Sequence, residues 1–127
     1  MTKTGALHTF WSQFGLPAYP ANQVPSDKAA NEEDVVRLPF LTYTKGFSHE
    51  GYSSTVHLYY RTESEAIPDE KAEEICQRLR YGGVQIPCDG GQLWLTLENP
   101  EWYAAEDQDD HVMKHRIINV LITDYTL

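Results

Sequence analysis

Long apolar runs are missing from these 127 residues. None approaches the roughly 18 consecutive apolar residues that a membrane-spanning helix needs, and residues 1–10 carry neither the basic start nor the apolar stretch of a secretory leader. The expectation is a chain made and kept in a cytosol, with no membrane partner. Cysteine is equally scarce. Cys76 and Cys88 are the two in the chain, and their separation matches no metal-binding or redox spacing, so both read as free thiols that are buried or half-buried. Basic side chains are few as well: ten Lys and Arg against nineteen Asp and Glu leave a formal charge of -9. Such a balance repels phosphate backbones and argues against direct nucleic-acid binding, although it suits a protein that sits beside DNA without adhering to it.

The usual catalytic patterns are absent too. No Gly-x-Ser-x-Gly elbow occurs, and neither cysteine has an electropositive neighbourhood readable from the sequence. The pairs Gly82-Gly83 and Gly90-Gly91 belong to no Walker or dinucleotide pattern and read as turns. Adjacent acids such as Glu73 and Glu74 diverge around a helix instead of facing one another, so they read as solvated charge. No catalytic, cofactor-binding or metal residue is therefore assigned, and assembly is a better expectation than chemistry.

What is present is enough to fold. Hydrophobic residues make up 41% of the chain and aromatic residues 12%, sufficient apolar surface to offset the entropy lost on ordering a single domain over residues 1–127. Ala6, Leu7, Phe10, Trp11 and Phe14 recur at the spacings of one helical face, with Thr4 as the starting cap and Gly15 and Pro17 as the stop. Residues 16–37 then pass through Pro17, Pro20, Asn22 and Pro25 into the acidic stretch at 31–34 and read as a long loop.

Residues 38–47, rich in β-branched and aromatic side chains, read as a strand, and 48–53 as a hairpin connection. In the partner strand, 54–61, Val56, Leu58 and Tyr60 alternate with Thr55, His57, Tyr59 and Arg61, the pattern of a sheet with one buried face. Pro68 in a first turn, early acids, and basic Arg78 and Arg80 at the end describe a second helix whose apolar stripe is Ala72, Ile75, Cys76 and Leu79. Strands at 84–87 and 92–97 follow, joined by Asp89-Gly90-Gly91. Residues 98–111 read as a second long loop. In the closing strand, 114–127, the apolar residues in the middle fall on both faces, which suits a central strand covered on each side by helix or a partner subunit. The fold class is thus α+β, a mixed or antiparallel sheet of about five strands with two helices in the order α-β-β-α-β-β-β.

Two features invite a chemical reading. His111 and His115 follow Asp107, Asp109 and Asp110, so ligand-type atoms are dense here. On a strand, however, positions four apart lie about 13 Å from one another, and Asp-x-Asp-Asp lacks the glycine and distal glutamate of a calcium loop. A solvated acidic loop is the plainer reading, with a metal site as its alternative. The second feature is aromatic: Tyr19, Tyr43, Tyr52, Tyr59, Tyr60, Tyr81, Trp94, Trp102 and Tyr103 exceed what one small core absorbs. They fit an interface, which favours such side chains, and equally the general taste of sheet faces for aromatics.

Several segments carry a family resemblance. They are Phe10 to Tyr19 (FWSQFGLPAY), Asn22-Gln23-Val24-Pro25, Leu38 to Tyr43 (LPFLTY), Tyr59-Tyr60-Arg61, Gly90 to Leu95 (GGQLWL) and Arg116 to Val120 (RIINV). Together they resemble the small minor capsid or tail-terminator-like proteins of siphophages and prophages. The resemblance implies an α+β subunit of the virion that is assembled in the host cytoplasm. It implies a homo-oligomeric ring, a hexamer, that caps the tail tube protein and meets the head-tail connector, with DNA passing through the lumen without specific binding. Another connector or tube subunit is the alternative, followed by a small ligand-binding or enzymatic α+β domain that uses the 111–115 region. The acidic segment 26–36 and the loop 101–111 look longer than the family pattern, so no role carries over to them.

Overall fold

The computed structural model describes residues 1–21, 38–106 and 112–127. The first helix, α1, spans Lys3–Trp11, and its cap is Thr2, not Thr4: the Thr2 hydroxyl accepts the Gly5 amide at 3.0 Å. That leaves Thr4 inside the first turn, where its own side chain caps nothing. Ala6, Leu7, Phe10 and Trp11 are buried as their spacing predicts, and a single 3-10 turn, Ser12–Phe14, adds Phe14 before Gly15 turns left-handed at φ +79°. Trp11 sits at 0% exposure, edge-on to Phe10 (4.8 Å) and parallel to the Tyr43 ring (6.4 Å).

The expected loop from residue 16 contains a short strand, β1 (Ala18–Pro20), which runs parallel to β2 (Phe40–Tyr43). Local propensity misses it because its hydrogen-bond partner lies more than twenty residues away. Strand β2 is shorter than the predicted 38–47. Strand β3 (Tyr52–Arg61) pairs antiparallel with β2 and buries Val56, Leu58 and Tyr60 as the alternation requires. Helix α2 covers Ala66–Leu79 and buries Pro68, Ala72, Ile75, Cys76 and Leu79. Tyr81, Gly82 and Gly83 then all take positive φ and end it; a side chain at Gly83 would meet the Leu95 carbonyl at 2.3 Å, so close backbone approach requires glycine there.

Strand β4 (Val84–Cys88) and the start of β5 (Gly91–Glu106) form the expected hairpin. The predicted loop at 98–111 is corrected in its first half. There β5 continues through a register shift between Leu97 and Trp102 and keeps pairing with β6 (Met113–Thr126) as far as Glu106. A polar run passes for a loop when its cross-strand partner is out of sight, and the bulge absorbs the extra residues without ending the ladder. Asp107, Asp109, Asp110 and His111, like the acidic stretch at 31–34, lie outside the described residues.

The result is an α+β arrangement with one mixed sheet of six strands, where about five were expected, in the order β1-β2-β3-β6-β5-β4. Both helices pack on one face. Leu41, Tyr43, Val56, Leu58, Leu93, Leu95, Ile118, Val120 and Ile122 supply the sheet side of the core against Leu7, Trp11, Ile75 and Leu79. No helix among the described residues is long and apolar enough to cross a membrane.

Candidate functional site

Side chains alternate across a strand, so the same register that buries Val56, Leu58, Ile118 and Val120 sends His57, Tyr59, His115 and Ile117 to the opposite face. Among the described residues, no helix packs on that face. Its centre is a row of rings running across four strands. Tyr19 of β1 meets Phe40 of β2 edge-on (6.0 Å), Phe40 stacks on Tyr59 of β3 (5.0 Å), and Tyr59 stacks on His115 of β6 (4.5 Å, 16° between planes). His57 stacks on His115 in turn (4.9 Å). Cross-strand ring pairs of this kind are the usual unit of sheet stabilisation.

The two histidines are also hydrogen-bonded, His57 Nδ1 to His115 Nε2 at 2.7 Å, while His57 Nε2 lies 3.1 Å from the Thr55 hydroxyl. One imidazole must donate its N–H and the other must accept, so the pair is made for at least one neutral ring. Burial pushes the His57 pKa down. For His115 burial acts first and the neighbouring charges of His57 and Arg116 add to it. Burial also raises the Tyr59 phenol, against a hydrogen bond with Thr42. Around the rings, Thr42 and Ile117 are buried. Toward the β4 end, Trp94 and Tyr125 lean on each other (5.9 Å) and Tyr103 stands exposed.

Charge is distributed unevenly. Among the strand positions that alternate onto this face, Arg61 is the one cation and Glu98, where the β5 bulge begins, the one carboxylate. The ion pairs among the described residues lie elsewhere. Arg116, its side chain 3% exposed on the helix side of β6, meets Glu65 at 2.5 Å and Asp69 at 2.7 Å. Arg80 meets Glu101 at 2.7 Å and Glu73 at 3.2 Å, and Trp102 donates to Glu73 at 2.6 Å, which ties the β5 bulge to the end of α2. Lys3 meets Asp124 at 2.6 Å. Burial alone would raise the Asp124 carboxyl, but hydrogen bonds from Lys3 and from the Thr126 hydroxyl and amide hold it at about 2. These groups pin the fold, and Arg80 and Glu101 also line an open cleft with Tyr81, Gly82, Gly83 and Thr96.

The histidine pair answers to one of the two chemical readings in the sequence and changes its partner. His115 pairs with His57, 58 residues away, and its expected companions at 107–111 are outside the described residues. Among the described residues no three His, Cys, Asp or Glu side chains come together as a metal would require. The placement of His57 on the outward face was readable from the β3 alternation, whereas its contact with His115 depends on β3 pairing with β6. Of the nine aromatic residues singled out, only Tyr43 and Tyr60 join the core. Tyr19, Tyr59, Trp94 and Tyr103 stand on the open face, and Tyr81 is fully exposed beside Gly82. Cys76 is buried and Cys88 half-buried, both as free thiols, and burial pushes the Cys76 thiol up to about 12.

No family model matches the chain, and no curated protein and no solved structure matches it either.

Proposed function

We propose that the protein is a ring-forming structural subunit of a phage virion. In this reading it is a tail terminator or minor capsid protein that caps the tail tube and joins it to the head connector, and the occupant of the open sheet face is a neighbouring copy of the same chain. The observation that carries the reading is that face: a row of rings set among aliphatic and uncharged polar side chains, with one arginine and one carboxylate position, and covered by neither helix. About two dozen strand positions alternate onto it, the number of residues that one partner contributes to a standard interface. Tyrosines such as the exposed Tyr103 and Tyr125 are side chains that interfaces favour.

The alternative surfaces suit association less well. Both edge strands carry proline, Pro20 in β1 and Pro87 in β4, which blunts them as templates for added strands. The chain's formal charge of -9 makes contact between acid-bearing surfaces of two copies unfavourable. A face with a single carboxylate position is where a like-charged copy meets the least repulsion. Where this face docks on a different surface of the neighbouring copy, the contact is head-to-tail and closes into a ring when the rotation between neighbours allows it. Acids left off the interface would discourage DNA from adhering to a conduit.

Sedimentation velocity and electron microscopy over a concentration series, with and without tail tubes, test the reading. Rings are expected at high concentration or on tubes, and more of them as salt rises from about 20 to 300 mM, because screening over about 8–10 Å relieves repulsion among the acids. A protein that stays monomeric throughout and never associates with tubes ends this reading.

A further inference from the structure

The open face contains one element that a purely packing surface would not need, the hydrogen-bonded histidines at its centre. We propose that this pair gates the docking of the neighbouring copy by protonation: the neutral pair presents a flat, uncharged row of stacked rings, a first added proton places charge on it, and a second forces the rings apart. The inference rests on the assembly reading above and adds its regulation.

The geometry sets a limit on how many protons the pair can hold. With His57 Nδ1 and His115 Nε2 at 2.7 Å, a single hydrogen fits between them. A first additional proton can go to His57 Nε2, where the Thr55 hydroxyl turns to accept it at 3.1 Å. The second must place N–H against N–H, which the spacing forbids. The rings must then part, and the separation is transmitted to Tyr59, which stacks on both.

Among the described residues, no carboxylate faces the pair. From β2 it faces Phe40 and Thr42, from β3 Thr55, Tyr59 and Arg61, and from β5 Tyr103 and Ala105, while Arg116 beside His115 on β6 points to the helix side, where Glu65 and Asp69 meet it. Glu98, at the β5 bulge, is the one carboxylate among the described strand positions of this face. Covering the pair with a second copy removes water from it as well. A histidine that loses solvent without gaining an acid binds its proton more weakly, so docking expels protons and falling pH opposes docking. The sign follows. The assembled state binds fewer protons than the separate subunits, so association is at its strongest at and above about pH 6.5 and is lost as pH falls through the free pair's own values, which burial holds below that.

The test is sedimentation velocity of the full chain from about pH 8 to pH 5 at fixed ionic strength of about 0.15 M, with far-UV circular dichroism alongside. Wild type is expected to lose association as pH falls through the pair's own values, which lie below 6.5, by up to about tenfold in the association constant per pH unit for each proton taken up, while its fold stays constant. The double variant His57→Gln, His115→Gln keeps amide hydrogen bonding without titration and is expected to associate at every pH. Wild-type association that is flat with pH overturns the gating, as does a double variant that dissociates in parallel with wild type, or a wild-type fold that melts in step. If the double variant fails to associate even at pH 7.5, the wild type alone decides: calorimetry of its association, in two buffers of different ionisation enthalpy and at several pH values down to 5, must show proton release that grows as pH falls, and no release at any of them overturns the inference. Wild type that never associates at any pH removes the assembly reading itself, a result distinct from association without pH dependence.

Discussion

Truncating Trp11 probes the joint between α1 and the sheet. The indole is wholly buried between Phe10, Phe14 and Tyr43. A buried tryptophan withdraws on the order of 150–250 Å² from water, and at about 25 cal/mol/Å² that corresponds to about 4–6 kcal/mol. Measured costs of emptying such a site run at about 3–5 kcal/mol, the expected cost of Trp11→Ala, and for a chain of this size the midpoint should fall by roughly 10–20 °C. A second variant separates shape from polarity. The Trp11 indole N–H is buried with no hydrogen-bond partner among the described residues, and leaving such a donor unpaired costs about 1–3 kcal/mol. Trp11→Phe gives up part of the ring but removes that donor, so its net cost should be about 1 kcal/mol or less. Thermal and urea melts of the two variants supply the numbers. If Trp11→Phe costs as much as Trp11→Ala, the N–H is satisfied and the reasoning about it is wrong. If Trp11→Ala costs under about 1 kcal/mol, α1 is not anchored in the core at all.

Two further expectations concern titration and thiol chemistry. Asp124 is held at about 2 against an ordinary 3.8, so it contributes stability above pH 3.8 that is lost as pH falls toward 2; Asp124→Asn should cost about 1–2 kcal/mol at pH 7 and flatten acid unfolding in that window, and equal acid profiles for the two proteins would refute this. Cys76 is buried with its thiol pushed up to about 12 while Cys88 is half-buried, so a thiol reagent at about pH 8 should label Cys88 alone in the folded protein and Cys76 only on unfolding, as peptide mass spectrometry would show; native labelling of Cys76 would count against its burial.

Much of the secondary structure was legible because its causes are local. The apolar face of α1 follows from residues three and four apart, the two faces of β3 from strict alternation, and the polarity of α2 from acids at its start and basic residues at its end. The β4–β5 turn at 89–91 follows from glycines that tolerate positive φ. The burial of these elements on one core follows too, since each presents a single apolar face. What sequence alone left open was every feature whose cause lies on another strand. Three residues, Ala18–Pro20, form β1 only because β2 runs parallel beside them. The polar run after Leu97 is strand and not loop because β6 supplies its ladder and because Arg80, Glu101, Glu73 and Trp102 fasten the bulge.

The candidate site divides in the same way. Alternation places His57 and Tyr59 outward, and the apolar residues on both faces of the last strand suit cover on each side by helix or a partner subunit; that neither helix lies on the His57 face was not legible. The meeting of His57 with His115, and of both with Tyr59, required the antiparallel register of β3 on β6. Register is a property of two segments paired through space, and no spacing within either of them encodes it.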